Sequence, residues 1–309
     1  MNAPCLSRRR FLYAAATTCL PNLACNRPHR TAANSSQPAT RINVLTFNIL
    51  CGGTDLGPLE NTIRVIRRTN ADIVGLQEQH PNGKTIAKAL DFHCHIQGSS
   101  LAVLSRYPIE ERTPHGVTIR LSQTHTVAAL NTHFRPSPYG PHILRDNLAK
   151  NRNPSEAELI DTIRDGHGQQ LAALLQAATS HLADGTPTFL TGDFNEPSHL
   201  DWTAKAAAAG RNFGRKVEWP SSKALTAAGF IDSYRTIHPD EVKHPGLTWT
   251  PCPVPDEVHD RIDLIYFAGK SAKLLDARIV GESDANADIV ITPWPTDHRA
   301  ILATFNLTA

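Results

Sequence analysis

Two polar side chains with complementary chemistry follow an apolar run in the second half of the chain. In the segment L-T-G-D-F-N-E-P-S, residues 190–198, Asp193 and Asn195 stand two positions apart. Alternation along an extended backbone would put both side chains on one side. A carboxylate that accepts a proton, beside an amide that donates and accepts, suits a site that activates water and holds an oxyanion. The same residues also suit an ordinary strand-to-turn junction. The other polar residues of the chain are therefore needed to choose between a catalytic site and a simple turn.

Further polar side chains stand at or near the ends of other predicted strands. Glu78 ends an apolar run, and a carboxylate in that position needs a partner, which is either a cation or a basic side chain. The others are Asn48, His133, Asp263, Asp297 and His298. Hard oxygen donors dominate this set, which favours Mg²⁺, Mn²⁺ or Ca²⁺ over Zn²⁺. The sequence has no serine-nucleophile elbow and no P-loop. It therefore indicates water as the nucleophile and a phosphoester as the electrophile.

The elements that must position these side chains are mostly short strands separated by turn residues, a pattern typical of stacked sheets. Strands are predicted at residues 42–47, 72–78, 92–96, 101–105, 116–121, 126–131, 188–190, 260–267, 274–280 and 300–306. Helices are predicted at residues 60–69, 85–90, 168–182, 202–209 and 221–228. Residues 135–164 are polar and predict a long loop with one short helix at 154–163, flanking the cleft.

The composition limits the class of protein. The chain has 309 residues, of which 40% are hydrophobic and 19% charged, enough for one large globular domain with a core. No apolar run is long enough to span a bilayer. Without residues 1–24, Lys plus Arg falls from 31 to 28 against 29 acids, so the remaining protein is close to neutral. This gives no support for a strong electrostatic grip on nucleic acid, although a local basic patch would still allow one.

The amino terminus resembles an export signal. The segment S-R-R-R-F-L at residues 7–12 is a twin-arginine pattern, and a modestly apolar stretch follows it. The alternative is a basic tail without structure. We predict an export signal over residues 1–24, a linker over residues 25–40 and a catalytic domain over residues 41–309. The expected location is then the periplasm, the cell exterior or a lipid-anchored position on the membrane.

The cysteines allow two further expectations. Leu23-Ala24-Cys25 resembles the end of a lipoprotein cleavage site, which would make Cys25 a membrane anchor, but Asn22 stands where an aliphatic residue is usual. In the body of the protein, an exported location would permit one disulfide among Cys51, Cys94 and Cys252. Their spacing does not suggest zinc, and we expect buried free thiols.

Six short motifs contain the polar residues and follow one another over residues 42–306. They are F-N ending at Asn48, L-Q-E ending at Glu78, N-T-H-F around His133, G-D-F-N holding Asp193 and Asn195, R-I-D ending at Asp263, and T-D-H ending at His298. In identity and order they resemble the endonuclease/exonuclease/phosphatase superfamily. It includes pancreatic-type deoxyribonucleases, apurinic endonucleases, neutral sphingomyelinases and inositol polyphosphate 5-phosphatases. The resemblance implies a four-layer α/β/β/α sandwich of two packed mixed β-sheets, with the site at the top of the sheets.

The same resemblance implies a metal cofactor and its ligands. Glu78 would be the principal ligand, with Asn48 and Asp297 beside it. The implied cofactor is Mg²⁺, with Mn²⁺ or Ca²⁺ as alternatives.

It also implies roles for the catalytic side chains. Asp193 would orient or deprotonate the attacking water, and Asn195 would hold that water or a phosphate oxygen. His133 and His298 would bind the phosphoryl group and stabilise its developing charge. Asp263 would hydrogen-bond His298 and fix its tautomer, with Asp260 ranked second for that task.

These expectations favour an exported, monomeric phosphodiesterase that acts on nucleic acid or on a phospholipid head group. A phosphomonoesterase acting on sugar or inositol phosphates is the alternative, because the superfamily keeps its catalytic set and varies its loops. A third possibility is a non-catalytic binding module on the same fold. Such a module would be expected to lack one of the site residues, and all of them are present.

Overall fold

The computed structural model describes residues 40–308. The predicted export signal, nearly all of the predicted linker and Cys25 lie outside the described residues. Within residues 40–308, no helix is both long and apolar enough to cross a membrane.

The described chain begins in a strand and forms two sheets. The strands are β1 (Thr40–Asn48), β2 (Ile73–Gln77), β3 (His93–Gln97), β4 (Leu101–Ser105), β5 (Ile109–Thr113), β6 (Gly116–Arg120), β7 (Thr126–His133), β8 (Thr188–Asp193), β9 (Ile231–Asp232), β10 (Asp263–Ala268), β11 (Ala272–Gly281), β12 (Ile289–Val290) and β13 (Ala300–Leu307). The first sheet has the order β12-β11-β13-β1-β2-β4-β3 and the second β5-β6-β7-β8-β10-β9. Both are mixed, because β1 and β2, β11 and β12, and β7 and β8 pair in parallel and the other pairs are antiparallel.

Helices connect and cover the strands. They are α1 (Leu50–Gly53), α2 (Leu59–Arg68), α3 (Gly83–Leu90), α4 (Gly140–Ala149), α5 (Glu156–Ala183), α6 (Ala204–Ala208), α7 (Pro220–Ala227) and α8 (Ser233–Ile237), with a 3₁₀ turn at Asn212–Gly214. α5 begins with a capping box in which Ser155 and Glu158 satisfy each other's backbone amides.

Alternation along the strands produces four layers, as the resemblance to the superfamily implies. In β1, Ile42 and Val44 belong to the core between the sheets, whereas Leu45 and Phe47 pack on the opposite side with α2 and α3. In the second sheet, Phe189 faces the core between the sheets and Leu190 packs against α5 and α7. The order is therefore helices, sheet, sheet, helices.

A buried polar cluster joins the two sheets below the site. The side chain of Asn131 in β7 donates to Leu76 O at 2.9 Å and to Ala102 O at 3.1 Å. Its oxygen accepts from Gln77 Nε2 at 2.7 Å and from Thr191 Oγ1 at 3.1 Å. Every polar atom of this amide is thus satisfied, and the two sheets are held in one fixed relation.

The sequence prediction for residues 135–164 is wrong. The structure contains α4 at Gly140–Ala149, and α5 is one helix of 28 residues rather than two shorter ones. Gly166 and Gly168 interrupt the helical pattern in the sequence, since glycine is a poor helix former. At Gly166 the reason is packing, because a Cβ atom there would lie 2.8 Å from Pro138 Cδ.

The cysteines of residues 40–308 are free, as expected, but they are not buried. Cys51 is exposed, and Cys94 and Cys252 are half-buried.

Candidate active site

Four of the predicted site residues stand on inner strand faces at the ends of their strands. In β7, β8 and β10 the residues Val127, Phe189 and Ile265 face the core between the sheets. Alternation carries that face to His133, Asp193 and Asp263. In β1, it carries the face of Val44 to Asn48.

Asp193 is the centre of this arrangement. It pairs in register with His133 on one neighbouring strand and with Asp263 on the other. Asn48 Nδ2 donates to Asp193 Oδ2 at 3.0 Å, and the backbone amide of Asn195 donates to Oδ1 at 2.9 Å. Nε2 of His133 lies 3.5 Å from Asp193 Oδ2 and Nε2 of His298 lies 3.8 Å from it. These two distances exceed a direct hydrogen bond, so both imidazoles remain available to a substrate.

Glu78 reaches the site through an unusual backbone conformation. Val74 and Leu76 of β2 face the helices, and alternation would send Glu78 the same way. Its φ of 57° instead places it in the left-handed region, which costs a side-chain-bearing residue about 1–2 kcal/mol. The carboxylate accepts from Asn48 Nδ2 at 3.1 Å and from the backbone amide of Cys51 at 3.1 Å.

The donor set around Glu78 fits a hard divalent cation. Glu78 and Asp297 line the same cleft, and neither has a lysine or arginine partner among residues 40–308. Burial raises the pKa of Asp297, and the nearby charge of Glu78 raises it further. Carboxylates that repel each other in this way are the ligands that Mg²⁺ or Mn²⁺ would stabilise.

In its present orientation, the side-chain amide of Asn48 bonds the carboxylates of Glu78 and Asp193. Its Oδ1 accepts from the backbone amide of Leu50 at 3.1 Å, while its NH₂ group faces Glu78 and Asp193. To ligate a cation, the side-chain amide would have to turn its oxygen into the cleft. Metal ligation by Asn48 therefore stays a prediction.

His298 is oriented by Asp263. Its Nδ1 lies 2.9 Å from Asp263 Oδ2, and both side chains are buried. Burial alone would lower the pKa of His298, but the charges of Asp263 and Asp193 raise it to about 10. These carboxylates favour the protonated form of the ring, whose Nε2 is directed towards Asp193.

Asp260 does not share this task. It accepts from Tyr139 Oη at 2.7 Å and from Trp202 Nε1 at 2.8 Å. Its rank as the second candidate for orienting His298 is wrong, because its two carboxylate oxygens accept from Tyr139 and Trp202, whereas Nδ1 of His298 is bonded to Asp263.

Asn195 enters the cleft, but not by strand alternation. β8 ends at Asp193, and Asn195 has a φ of 43°, which is a turn conformation that asparagine tolerates. Its Nδ2 donates to Phe134 O at 3.0 Å. The expectation that both residues lie on one continuous strand face is therefore wrong, although both line the cleft.

The cleft has an additional wall that sequence reasoning did not identify. It is formed by Pro136, Tyr139, His142, Trp249 and Ile262. Trp249 packs against His298 with ring centroids 4.8 Å apart, and His142 pairs with Glu257. Only Tyr139 had a sequence signal, its place in a polar segment. No lysine or arginine lines this cleft within residues 40–308.

All of the predicted site residues therefore meet at one place. Glu78, His133, Asp193, Asn195, Asp297 and His298 line the cleft. Asn48 and Asp263 contact them from behind. Their convergence is a finding of the structure, and their individual roles remain predictions.

Solved structures share this fold. TDP2 of Caenorhabditis elegans has a TM-score of 0.56 and 18% identity over 86% of this chain and 74% of its own. TDP2 of D. rerio, solved with a single-strand DNA product, has a TM-score of 0.56 and 16% identity, and the match covers 86% of this chain and 99% of that chain. The human Nocturnin catalytic domain with bound sulfate has a TM-score of 0.54 and 15% identity, and the match covers 87% of this chain and 95% of that chain.

Sequence comparison identifies the family. Uncharacterized protein F14F9.5 of Caenorhabditis elegans is 25% identical in an alignment 304 residues long, which covers 88% of this chain and 94% of that protein. The model of the endonuclease/exonuclease/phosphatase family matches residues 45–298, which contain every predicted site residue. The chain belongs to the endonuclease/exonuclease/phosphatase family, a family of metal-dependent phosphoester hydrolases.

Proposed function

We propose that the protein is a phosphodiesterase in which Asp193 activates the attacking water. The observation that carries this proposal is the position of Asp193, buried between Asn48, His133 and His298 with Oδ2 directed towards both imidazoles. A carboxylate held in this way accepts a proton from water as the water oxygen attacks phosphorus. The leaving oxygen then departs with the electron pair of the broken P–O bond.

The other side chains divide the remaining tasks. His298, protonated and fixed by Asp263, donates from Nε2 to a phosphoryl oxygen, and His133 contacts the same group from the other side of Asp193. Asn195 holds the water or a phosphoryl oxygen. Glu78 and Asp297 would hold the divalent cation, with Asn48 beside them. Mg²⁺, with Mn²⁺ or Ca²⁺ as alternatives, would supply charge neutralisation at the phosphoryl group.

The charge of the cleft favours a diester over a monoester. Its lining contains the carboxylates of Glu78, Asp193 and Asp297, which outnumber the protonated imidazole of His298, and within residues 40–308 it contains no lysine or arginine. A monoester is close to a dianion at neutral pH and would meet this negative lining at greater cost than the singly charged diester. Phosphomonoester hydrolysis is therefore the second candidate.

Two kinds of diester fit the proposal. The D. rerio TDP2 relative was solved with a single-strand DNA product, which supports nucleic acid as the substrate. A phospholipid head group is the alternative, and it agrees with the near-neutral charge of the chain.

We further propose export through the twin-arginine segment at residues 7–12 and a monomeric state, with Cys25 as the candidate position for a lipid anchor. Replacing Arg8 and Arg9 with lysine should retain the protein in the cytoplasm, as fractionation would show. Mass spectrometry of the membrane fraction tests the anchor, and an unmodified Cys25 there would reject it. Light scattering tests the oligomeric state.

The experiment for the central activity compares two chromogenic esters. Bis-p-nitrophenyl phosphate should be hydrolysed with Mg²⁺, should be inert in EDTA, and should be preferred over p-nitrophenyl phosphate by kcat/KM. Single-stranded oligonucleotide and phosphatidylcholine vesicles then separate the natural substrate classes. Preference for the monoester would reject the diesterase proposal, and no turnover of any phosphoester would reject catalysis.

A further inference from the structure

One turn of α5 contacts both segments that carry candidate catalytic side chains. His133 is followed by an irregular segment, residues 134–138, and Asn195 lies in the turn after β8. Gly166, His167 and Gln170 of α5 all contact these segments. This turn of α5 has no assigned role in the proposed reaction.

Gln170 binds the backbone on both sides of residue 134. Its Nε2 donates to His133 O at 3.1 Å, and its Oε1 accepts from the backbone amide of Arg135 at 3.1 Å. The side-chain amide therefore pairs with a carbonyl and an amide two residues apart, as a neighbouring strand would. This pairing fixes the backbone of His133 beyond the point where β7 ends.

His167 connects this segment to the one that carries Asn195. It is 1% exposed. Its Nε2 lies 2.9 Å from Arg135 O, and its Nδ1 lies 3.1 Å from Glu196 Oε2. A carbonyl only accepts, so Nε2 carries a proton. Nδ1 contacts the carboxylate in the other segment, so both ring nitrogens of His167 have partners only while both segments are in place.

Glu196 is in turn fixed by α7. Its Oε1 accepts from the backbone amide of Ser221 at 2.7 Å, and its Oε2 accepts from Ser221 Oγ at 2.9 Å. Gly166 lets α5 approach Pro138 closely. A direct bond from Asn195 Nδ2 to Phe134 O, at 3.0 Å, closes the connection between the two segments.

We propose that His167 and Gln170 are positioning residues that set the distance between His133 and Asn195. The inference rests on the proposed function, in which these two side chains face the same phosphoryl group. The candidate metal ligand Asn48 ends β1 and Glu78 follows β2, both in the other sheet, and neither side chain hydrogen-bonds to α5. Loss of the contacts made by His167 and Gln170 should therefore disturb the geometry of the reaction and leave metal binding intact.

Gln170→Met is the informative variant, because it keeps the length of a half-buried side chain and removes both hydrogen bonds. We expect kcat for bis-p-nitrophenyl phosphate to fall roughly 10- to 100-fold, the usual effect of losing a group that orients a site residue. KM and the Mg²⁺ concentration for half-maximal rate should stay within about threefold of wild type. His167→Phe should act in the same direction, but it removes the histidine from the buried carboxylate of Glu196, which keeps only its bonds from Ser221, and so risks unfolding.

Two controls separate positioning from stability. Gln169→Met makes the same chemical change at the adjacent exposed position and should leave kcat unchanged. Leu159→Ala removes core packing near the start of α5, in a cluster that does not contain residues 134–138 or 194–196, and should lower the melting temperature without lowering kcat of the folded fraction. A kcat for Gln170→Met within about twofold of wild type, or an equal loss in Leu159→Ala, would overturn the inference.

Amide hydrogen exchange distinguishes this inference from the proposed function. In Gln170→Met, exchange should accelerate at the amide of Arg135 and also at that of Asn195, which Gln170 does not touch. Unchanged exchange at Asn195 would overturn the coupling, whether or not the protein hydrolyses phosphoesters. If the wild-type protein hydrolyses no phosphoester but exchange at Asn195 still accelerates in Gln170→Met, the coupling is supported and the proposed function is rejected.

Discussion

His133 and Asp193 occupy paired positions on two parallel strands, and Nε2 of His133 lies 3.5 Å from Oδ2 of Asp193. The carboxyl ends of parallel strands are where open sheets place their ligands. Here the two side chains continue the inner face of the sheet, so the packing that builds the core between the sheets also directs them into one cleft.

Replacing Asp193 with asparagine tests the proposed proton acceptor. Asp193→Asn keeps the shape of the side chain and removes its basicity, so kcat for bis-p-nitrophenyl phosphate should fall about 100- to 1,000-fold, the scale of losing one preorganised polar group. The melting curve should remain cooperative. Asp184→Asn, at the exposed end of α5, is the matched control. Activity of Asp193→Asn within a few-fold of wild type would remove Asp193 from this role.

Replacing Glu78 with glutamine tests the candidate metal site. Glu78→Gln removes one anionic ligand, and the Mg²⁺ concentration that gives half-maximal rate should rise at least about tenfold. EDTA should abolish turnover in wild type, and Mg²⁺ should restore it. Glu60→Gln changes an exposed carboxylate on α2 and should leave the Mg²⁺ dependence unchanged. An unaltered Mg²⁺ dependence in Glu78→Gln would place the cation elsewhere.

The stability of the protein should depend on the charge of His298. The folded state binds this proton more tightly than the unfolded state, because Asp263 and Asp193 outweigh burial and raise the pKa of His298 to about 10. The resulting stabilisation is complete below the unfolded value, about 6.5, and is lost as pH rises through the folded value. Urea unfolding of metal-free wild type and His298→Gln should differ most near about pH 6 and progressively less towards about pH 10. A difference that grows over this range would contradict the assignment.

Tyr139 should stabilise the protein through the buried carboxylate of Asp260. Burial raises the pKa of Asp260 to about 6, although the bonds from Tyr139 and Trp202 favour its ionised form. Tyr139→Phe removes one of these bonds and should cost about 1–3 kcal/mol at about pH 7.5, where Asp260 is ionised.

Near about pH 5 the folded state holds a proton on Asp260 that the unfolded state has largely lost. The bond from Tyr139 then no longer stabilises a charge, so Tyr139→Phe should cost less free energy of unfolding than at about pH 7.5. Chemical unfolding at both pH values measures this difference. Tyr107→Phe, at a half-buried tyrosine, is the control. A cost for Tyr139→Phe that does not depend on pH would show that Tyr139 does not act by stabilising the ionised carboxylate of Asp260.

Stacked sheets and polar residues at strand ends could be predicted from local sequence patterns, whereas the four-layer order and the meeting of these residues in one site were implied by the resemblance to the family. Period-two hydrophobicity located most of the strands, and the polar residues at their ends could be identified without knowing the sheet order. Asp263 shows the strength of such a signal, because a carboxylate inside an apolar strand must have a partner, and that partner is His298.

The remaining features depend on tertiary contacts that a sequence pattern does not contain. The sequence predicts two helices in place of α5, because Gly166 weakens the helical pattern. The glycine is present because Pro138 packs where a Cβ atom would lie. Glu78 and Asn195 reach the cleft through left-handed backbone conformations rather than alternation. His167 could not be distinguished from the other histidines of the chain, because its partners are a carbonyl and a carboxylate from distant segments.

The central claim is that distant carboxylates and imidazoles converge on one hard cation and one phosphoryl group. Anomalous diffraction from crystals soaked with Mn²⁺ and inorganic phosphate measures this most directly. We predict one Mn²⁺ peak in contact with the carboxylate of Glu78, absent in Glu78→Gln, with phosphate lying against His133 and His298. A Mn²⁺ peak outside this cleft, or phosphate bound away from both imidazoles, would contradict the account.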